Sequence, residues 1–199
     1  MTSKTIPAFD QEAMERMFRA QEIVRERLLQ VTSILDQSGI PYAVVGGNAV
    51  AYWVSTGCPG AVRGTPDGNI LLTEHDFARV VELCASAGLL PFPVEDRQYI
   101  RFNNKHRLRS AVWFLLANKK YREADLFATP DVSQSVRGPE YQVIDLFPLV
   151  VMKLAAYRTI DRVHLRDLLN VDVINADWLD RIPNVFNARL NEVLDDPFG

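Results

Sequence analysis

The sequence predicts an α/β fold, a sheet flanked by helices with its site at strand ends, followed by a helical C-terminal part. Three observations carry this. Between about residues 41 and 145, short apolar runs rich in β-branched and aromatic residues alternate with amphipathic stretches. Glycines stand where these runs meet. From about residue 146 onward only helical periodicity remains. A length of 199 residues suits one well-cored domain. A single domain over 1–199 is therefore expected, with a helical segment at about 1–40, a core at about 41–145 and a helical part at about 146–199.

The elements follow in order. "FDQEAMERMFRAQEIVRERLLQVTSILDQSG" places Met14, Met17, Phe18, Ile23, Leu28, Leu29, Val31 and Ile34 mostly three or four residues apart, which predicts a long amphipathic helix closed by Gly39. "IPYAVV" predicts a buried strand that ends at Gly46-Gly47 and passes at once into a helix, "NAVAYWVSTG". "GNILL" predicts the next strand, and "TEHDFARVVELCASAG" a helix with Thr73 as N-cap and Gly88 as terminator. "RQYIRFNN" and "AVWFLLANKK" are too short for their type to be fixed, and "EADLFAT" reads as a strand with Asp125 at its middle. "FPLVVMKLAAYR" is helical with Pro148 in its first turn, "DRVHLRDLLNVDVI" continues with Asp161 as N-cap, and a last amphipathic helix is stopped by Pro197.

A net charge of −3 and a pI near 5.6 argue against a chain that coats nucleic acid non-specifically. "NKHRLRS" and "NKKYRE" are basic clusters that an ordinary solvated face also explains. Cys58 and Cys84 lack metal or redox spacing, so a reducing, cytoplasmic setting is the simplest expectation. No stretch reaches membrane-spanning length. His75, His106 and His164 lack metal-ligand spacing.

The residues able to carry chemistry lie around "VVGGNAV" and "RGTPDGNILL". Two glycines between strand and helix let a backbone approach a phosphate while the helix N–H groups face it. The same turn serves plain strand-to-helix packing in many folds. Neither Walker spacing nor G-x-G-x-x-G is present. Asp67 and Asn69, two apart at a strand start, point to one side as metal ligands must, and Asp125 on a neighbouring strand would supply a third oxygen for phosphoryl transfer. Against that, Asp67 sits in the turn sequence "TPDG" and Asp125 reads equally as a strand-edge charge. Thr65 can fix the turn through its hydroxyl, and Arg63 can fork onto a phosphate or a carboxylate.

The succession of apolar strand, Gly-Gly, helix and then R-x-T-x-D on the next strand resembles the nucleotidyltransferase superfamily with the DNA polymerase β fold, especially its bacterial abortive-infection and toxin-like branch. "VIDLFPLVVMKLAAYRTIDRVHLRDLLN" is similar to that branch's helical segment. The likeness spans roughly residues 30 to 195. It implies a nucleotidyltransferase-type mixed sheet (α+β) and Mg²⁺- or Mn²⁺-dependent transfer of a nucleoside monophosphate from an NTP to a hydroxyl on RNA (tRNA) or protein, with a cognate antitoxin as a partner. It further implies catalytic and metal-binding roles for Asp67, position 69 and Asp125. Gly46, Gly47, Asn48, Arg63, Thr65, Lys153, Arg158 and Asp161 would handle the nucleotide. A snorkelling Lys153 and a helix-junction ion pair between Arg158 and Asp161 are the structural alternatives.

The family pattern asks for Asp at position 69, and this chain has Asn. An amide is nearly isosteric but removes a full negative charge from a site that must hold divalent cations. Three accounts stand at this point: a binding-only member of the fold, an enzyme with an altered metal site, or an introduced Asp-to-Asn change. A weakened or inactive nucleotide- or partner-binding member is therefore the alternative to the transferase.

Overall fold

The computed structural model describes residues 11–94, 97–101, 111–121, 123 and 125–196. His106, the "NKHRLRS" cluster and Pro197 lie outside them. Helix α1 (Gln11–Gln37) is followed by β1 (Tyr42–Val45), α2 (Gly46–Gly57), β2 (Gly68–Leu72), α3 (Phe77–Ser86), β3 (Leu90–Val94), β4 (Arg97–Arg101), β5 (Val112–Leu116), β6 (Ser135–Arg137), β7 (Gln142–Ile144), α4 (Leu146–Ala156), α5 (Thr159–Asn170) and α6 (Asn187–Asp195). The strands form one seven-stranded sheet in the order β3-β4-β5-β2-β1-β7-β6. It is mixed: β2 runs parallel to β5 and β1 parallel to β7, whereas β1 and β2 are antiparallel.

Each face of the sheet has its own core. Tyr42, Val44, Ile70, Leu72, Val112 and Phe114 pack against Leu28, Val31 and Leu35 of α1 and Val80 and Cys84 of α3. The alternate residues Ala43, Val45 and Leu71 pack against α2, α4, α5 and α6. Period-two alternation thus sends Asn69, of the same parity as Leu71, to the α2/α4/α5 face. All four residues of β1 are buried, as a strand covered on both sides requires.

Most sequence expectations hold locally. Gly39 (φ +64°) and Gly88 (φ +78°) end α1 and α3 in the left-handed conformation that lacks a Cβ penalty. Four differ. Thr73 does not cap α3; its hydroxyl accepts the Asp76 N–H at 3.1 Å in a turn, and the helix starts at Phe77. Asp161 is not the N-cap of α5 but its third residue, accepting the Arg158 main-chain N–H at 3.2 Å. Of the "EADLFAT" stretch, Glu123 and residues 125–129 carry no strand, and the sheet instead gains β6 and β7. The two segments of unfixed type contribute β4 and β5, while Pro91 and Pro93 fall on β3, the sheet edge where a missing N–H is tolerated.

Candidate functional site

The β1–α2 junction has no connecting residue. Val45, the last residue of β1, is extended (φ −125°, ψ −171°), and Gly46, the first of α2, turns the chain with φ +71°. No side chain caps α2, which leaves its first N–H groups without a side-chain partner at a helix end that lies beside Thr65 and Asn69. Both glycines are explained by close neighbours. A Cβ on Gly46 would lie 3.0 Å from Asn69 Nδ2, and one on Gly47 would lie 2.6 Å from Thr65 Oγ1. What the two glycines admit is the segment leading into β2.

That segment is held by side chains. Asn48 Nδ2 donates to the Asp67 main-chain oxygen at 2.8 Å, and Thr65 Oγ1 donates to the same oxygen at 3.3 Å and lies 3.5 Å from Asp67 Oδ1. Burial pushes the Asp67 carboxyl up from its ordinary value, opposed by hydrogen bonds from Asn69 and Thr65 and by the positive charges of Lys153 and Arg158. Gly46, Gly47, Asn48, Thr65, Asp67, Asn69, Lys153 and Arg158 therefore share one neighbourhood.

Its other wall comes from the α4–α5 corner. Tyr157 adopts the left-handed conformation (φ 46°) between the two helices, and this turns Lys153 onto Asp161. Lys153 Nζ donates to Asp161 Oδ1 at 3.0 Å, and Arg158 Nε donates to Asp161 Oδ2 at 2.7 Å. Asp161 and Lys153 are both buried, whereas the Arg158 side chain is 69% exposed. Burial alone would raise the Asp161 carboxyl; the hydrogen bond from Arg158 and the charge of Lys153 outweigh it and hold it below the usual range.

Sequence reading missed two members of this wall. Arg158, the N-cap of α5, and Asp161, His164 and Asp167 within it recur every three residues. Arg63 Nε reaches across to Asp167 Oδ1 at 2.9 Å and ties the segment before β2 to α5. His164 lies among the same charges; burial, then Lys153, drives its pKa down to about 4. Burial thus favours the neutral imidazole, and its buried Nδ1 has no hydrogen-bond partner among the described residues. The spacing of three was the available signal.

Asp125 does not join the group. β5 runs parallel to β2 with Gly68 opposite Val112 and Leu72 opposite Leu116. Asp125 Oδ2 accepts the Tyr121 N–H at 3.0 Å, and the Tyr121 hydroxyl accepts the Leu116 N–H at 2.6 Å. Asp125 is thus linked through Tyr121 to Leu116, the last residue of β5, whereas Asp67 precedes Gly68, which pairs with the first. It lines a separate cavity of about 370 Å³ with Phe147, Met152 and Arg189. Opposite Asn69, β5 carries Trp113. Among the described residues no three His, Cys, Asp or Glu side chains are grouped to hold a metal ion. The donors present, one carboxylate and one amide, do not fit the Mg²⁺ set that the resemblance implies.

A second cavity, of about 460 Å³, lies between α1 and α2 and touches Asn48 and Thr65. Tyr52, Tyr141 and Val143 line it, and Gln21 of α1 rests on Gly64.

No protein-family model and no curated protein matches this chain. Solved structures do. One is ANT(2″)-Ia in complex with adenylyl-2″-tobramycin, 12% identical over 81% of this chain and 93% of that one, with a TM-score of 0.52. Another is a crystal structure from H. pylori described as a nucleotidyltransferase, 15% identical over 95% of this chain and 79% of that one, with a TM-score of 0.51. The chain shares its fold with these two nucleotidyltransferase structures. At these identities the likeness carries architecture: an α+β mixed sheet with helices on both faces and a helical C-terminal part. No described helix is long and apolar enough to cross a membrane.

Proposed function

We propose that this protein binds a nucleoside triphosphate at the start of α2, with the phosphates directed at Lys153 and Arg158, and does not transfer the nucleotidyl group. One observation carries the reading: Lys153 and Arg158 are both held in place by ion pairs to Asp161, while among the described residues the acidic side brings Asp67 and no group of three metal-ligating side chains. Phosphoryl transfer depends on cations held at the reacting phosphate, and one carboxylate beside an amide is a poor holder of two. Gly46, Gly47, Asn48 and Thr65 serve in this reading by shaping the junction, and Arg63 by fixing the loop to α5. Calorimetry with ATP, GTP, CTP and UTP, run beside a labelled-NTP transfer assay on tRNA and cell extract, tests it. Binding without transfer is the expected result, and label transfer by the natural chain would overturn it.

The second reading is the transferase, favoured by the fold and by Asp67 standing where the pattern places its first carboxylate. It keeps Mg²⁺ or Mn²⁺ at Asp67 and Asn69, a bacterial cytoplasmic setting and a hydroxyl acceptor on RNA or protein, with a cognate antitoxin as partner. The adenylyl-2″-tobramycin in one structural neighbour adds a small-molecule hydroxyl to the acceptors worth testing. Label transfer that appears only in Asn69→Asp would locate the lost chemistry at that residue.

A further inference from the structure

A metal-dependent phosphate site works in two links: carboxylates hold divalent cations, and those cations carry the charge of the phosphates. In this chain the first link is broken at three points. The side of β5 that shares a face with Asn69 carries Trp113 and Leu115, and residues 97–116 contain neither Asp nor Glu. The Asn69 amide hydrogen-bonds the carboxylate at the start of β2, Asp67. The same amide packs against Gly46, which holds it in place.

The second link is supplied by side chains. Lys153 and Arg158 share a single carboxylate, Asp161, so two positive charges are set against one negative. Both act on Asp67 through space. Arg158 is mostly exposed, so its remaining donors are open to a ligand.

We infer that the site takes its phosphate ligand without a divalent cation, Lys153 and Arg158 standing in for the metal. The inference rests on the nucleotide-binding reading above. It has a sign opposite to that of an enzyme. Mg²⁺ in solution coordinates the phosphates and lowers their charge, and the protein has no donor set to recover that loss, so Mg²⁺ weakens binding.

Calorimetry on the full chain with each NTP, and with inorganic tripolyphosphate, in EDTA and in excess MgCl₂ at matched ionic strength, tests it. The expected Kd is several-fold lower in EDTA, and tightening by Mg²⁺ overturns the inference. Arg158→Ala should raise the Kd in EDTA about tenfold, the usual effect of losing a charge-assisted hydrogen bond; an unchanged Kd removes Arg158 from its role and overturns the account. Asn69→Asp should reverse the preference so that Mg²⁺ tightens binding; a variant that still binds best in EDTA overturns the role given to position 69. If neither nucleotides nor tripolyphosphate bind in either buffer, the nucleotide-binding reading itself falls, and that outcome is distinct from binding that Mg²⁺ strengthens.

Discussion

The two sides of the site are built to different standards. At the α4–α5 corner a buried carboxylate receives hydrogen bonds from Lys153 and from both the side chain and the main chain of Arg158. At the start of β2 a partly buried carboxylate is met by an amide and a hydroxyl, with two cations acting from a distance. The corner is an ion-pair network that the fold depends on, because a buried charge without its partner is expensive. The acidic edge is a place where the fold tolerates a charge. A sequence can therefore lose carboxylates there and keep its architecture.

This difference can be broken by substitution. Asp161→Ala leaves Lys153 buried without its carboxylate and should destabilise the protein by about 3–5 kcal/mol in urea titrations; a loss under about 1 kcal/mol would put the corner on a par with the acidic edge. Gly47→Ala drives a methyl group into Thr65 and should cost about 2 kcal/mol by overpacking, part of which Thr65→Gly in the same chain should restore. Full additivity of the two changes would mean that the contact does not decide the glycine.

Acid should act first on the corner. His164 is held neutral with its pKa down at about 4, facing Lys153, Asp161, Arg158 and Arg63. The unfolded imidazole gains a proton near pH 6.5, so the stability present above that pH is lost as pH falls toward 4. After discounting for partial exposure of the ring, the loss is about 2 kcal/mol, and His164→Gln should flatten the profile in that window. Asn48→Ala removes the bond to the Asp67 carbonyl and should cost about 1 kcal/mol in thermal melts. Smallest of all, Asp67→Asn should change stability by less than about 0.5 kcal/mol at neutral pH, because burial already disfavours its charged form. Destabilisation as large as that of Asp161→Ala would erase the contrast.

What the sequence showed and what it concealed follow the range of each signal. β1, the Gly-Gly junction, α2, β2 and α4 are legible because apolar runs, glycines and an early proline act within a few residues. β6 and β7 are three residues each and carry no periodicity that could announce them; they exist because β1 needs a neighbour beyond β2. Asp125 misleads because polar and apolar residues alternate around it, yet its carboxylate is engaged by a main-chain N–H four residues back. The helix offset at Asp161 had a larger effect. Placed as the N-cap it reads as a local start signal; one turn further in, it opens the series that continues through His164 and Asp167 to Arg63, a contact 104 residues away in sequence.

The junction between Val45 and Gly46 has one more effect, on the thermodynamics of association. Because no loop residue separates a strand buried on both faces from the helix that follows it, the first N–H groups of α2 have no hinge about which to move. Their freedom was surrendered when the chain folded, so a ligand arriving there orders little that was mobile, and less of its interaction energy is offset by entropy. Binding at that end of α2 should accordingly show a small ordering penalty in calorimetry and little change in main-chain position between free and bound protein.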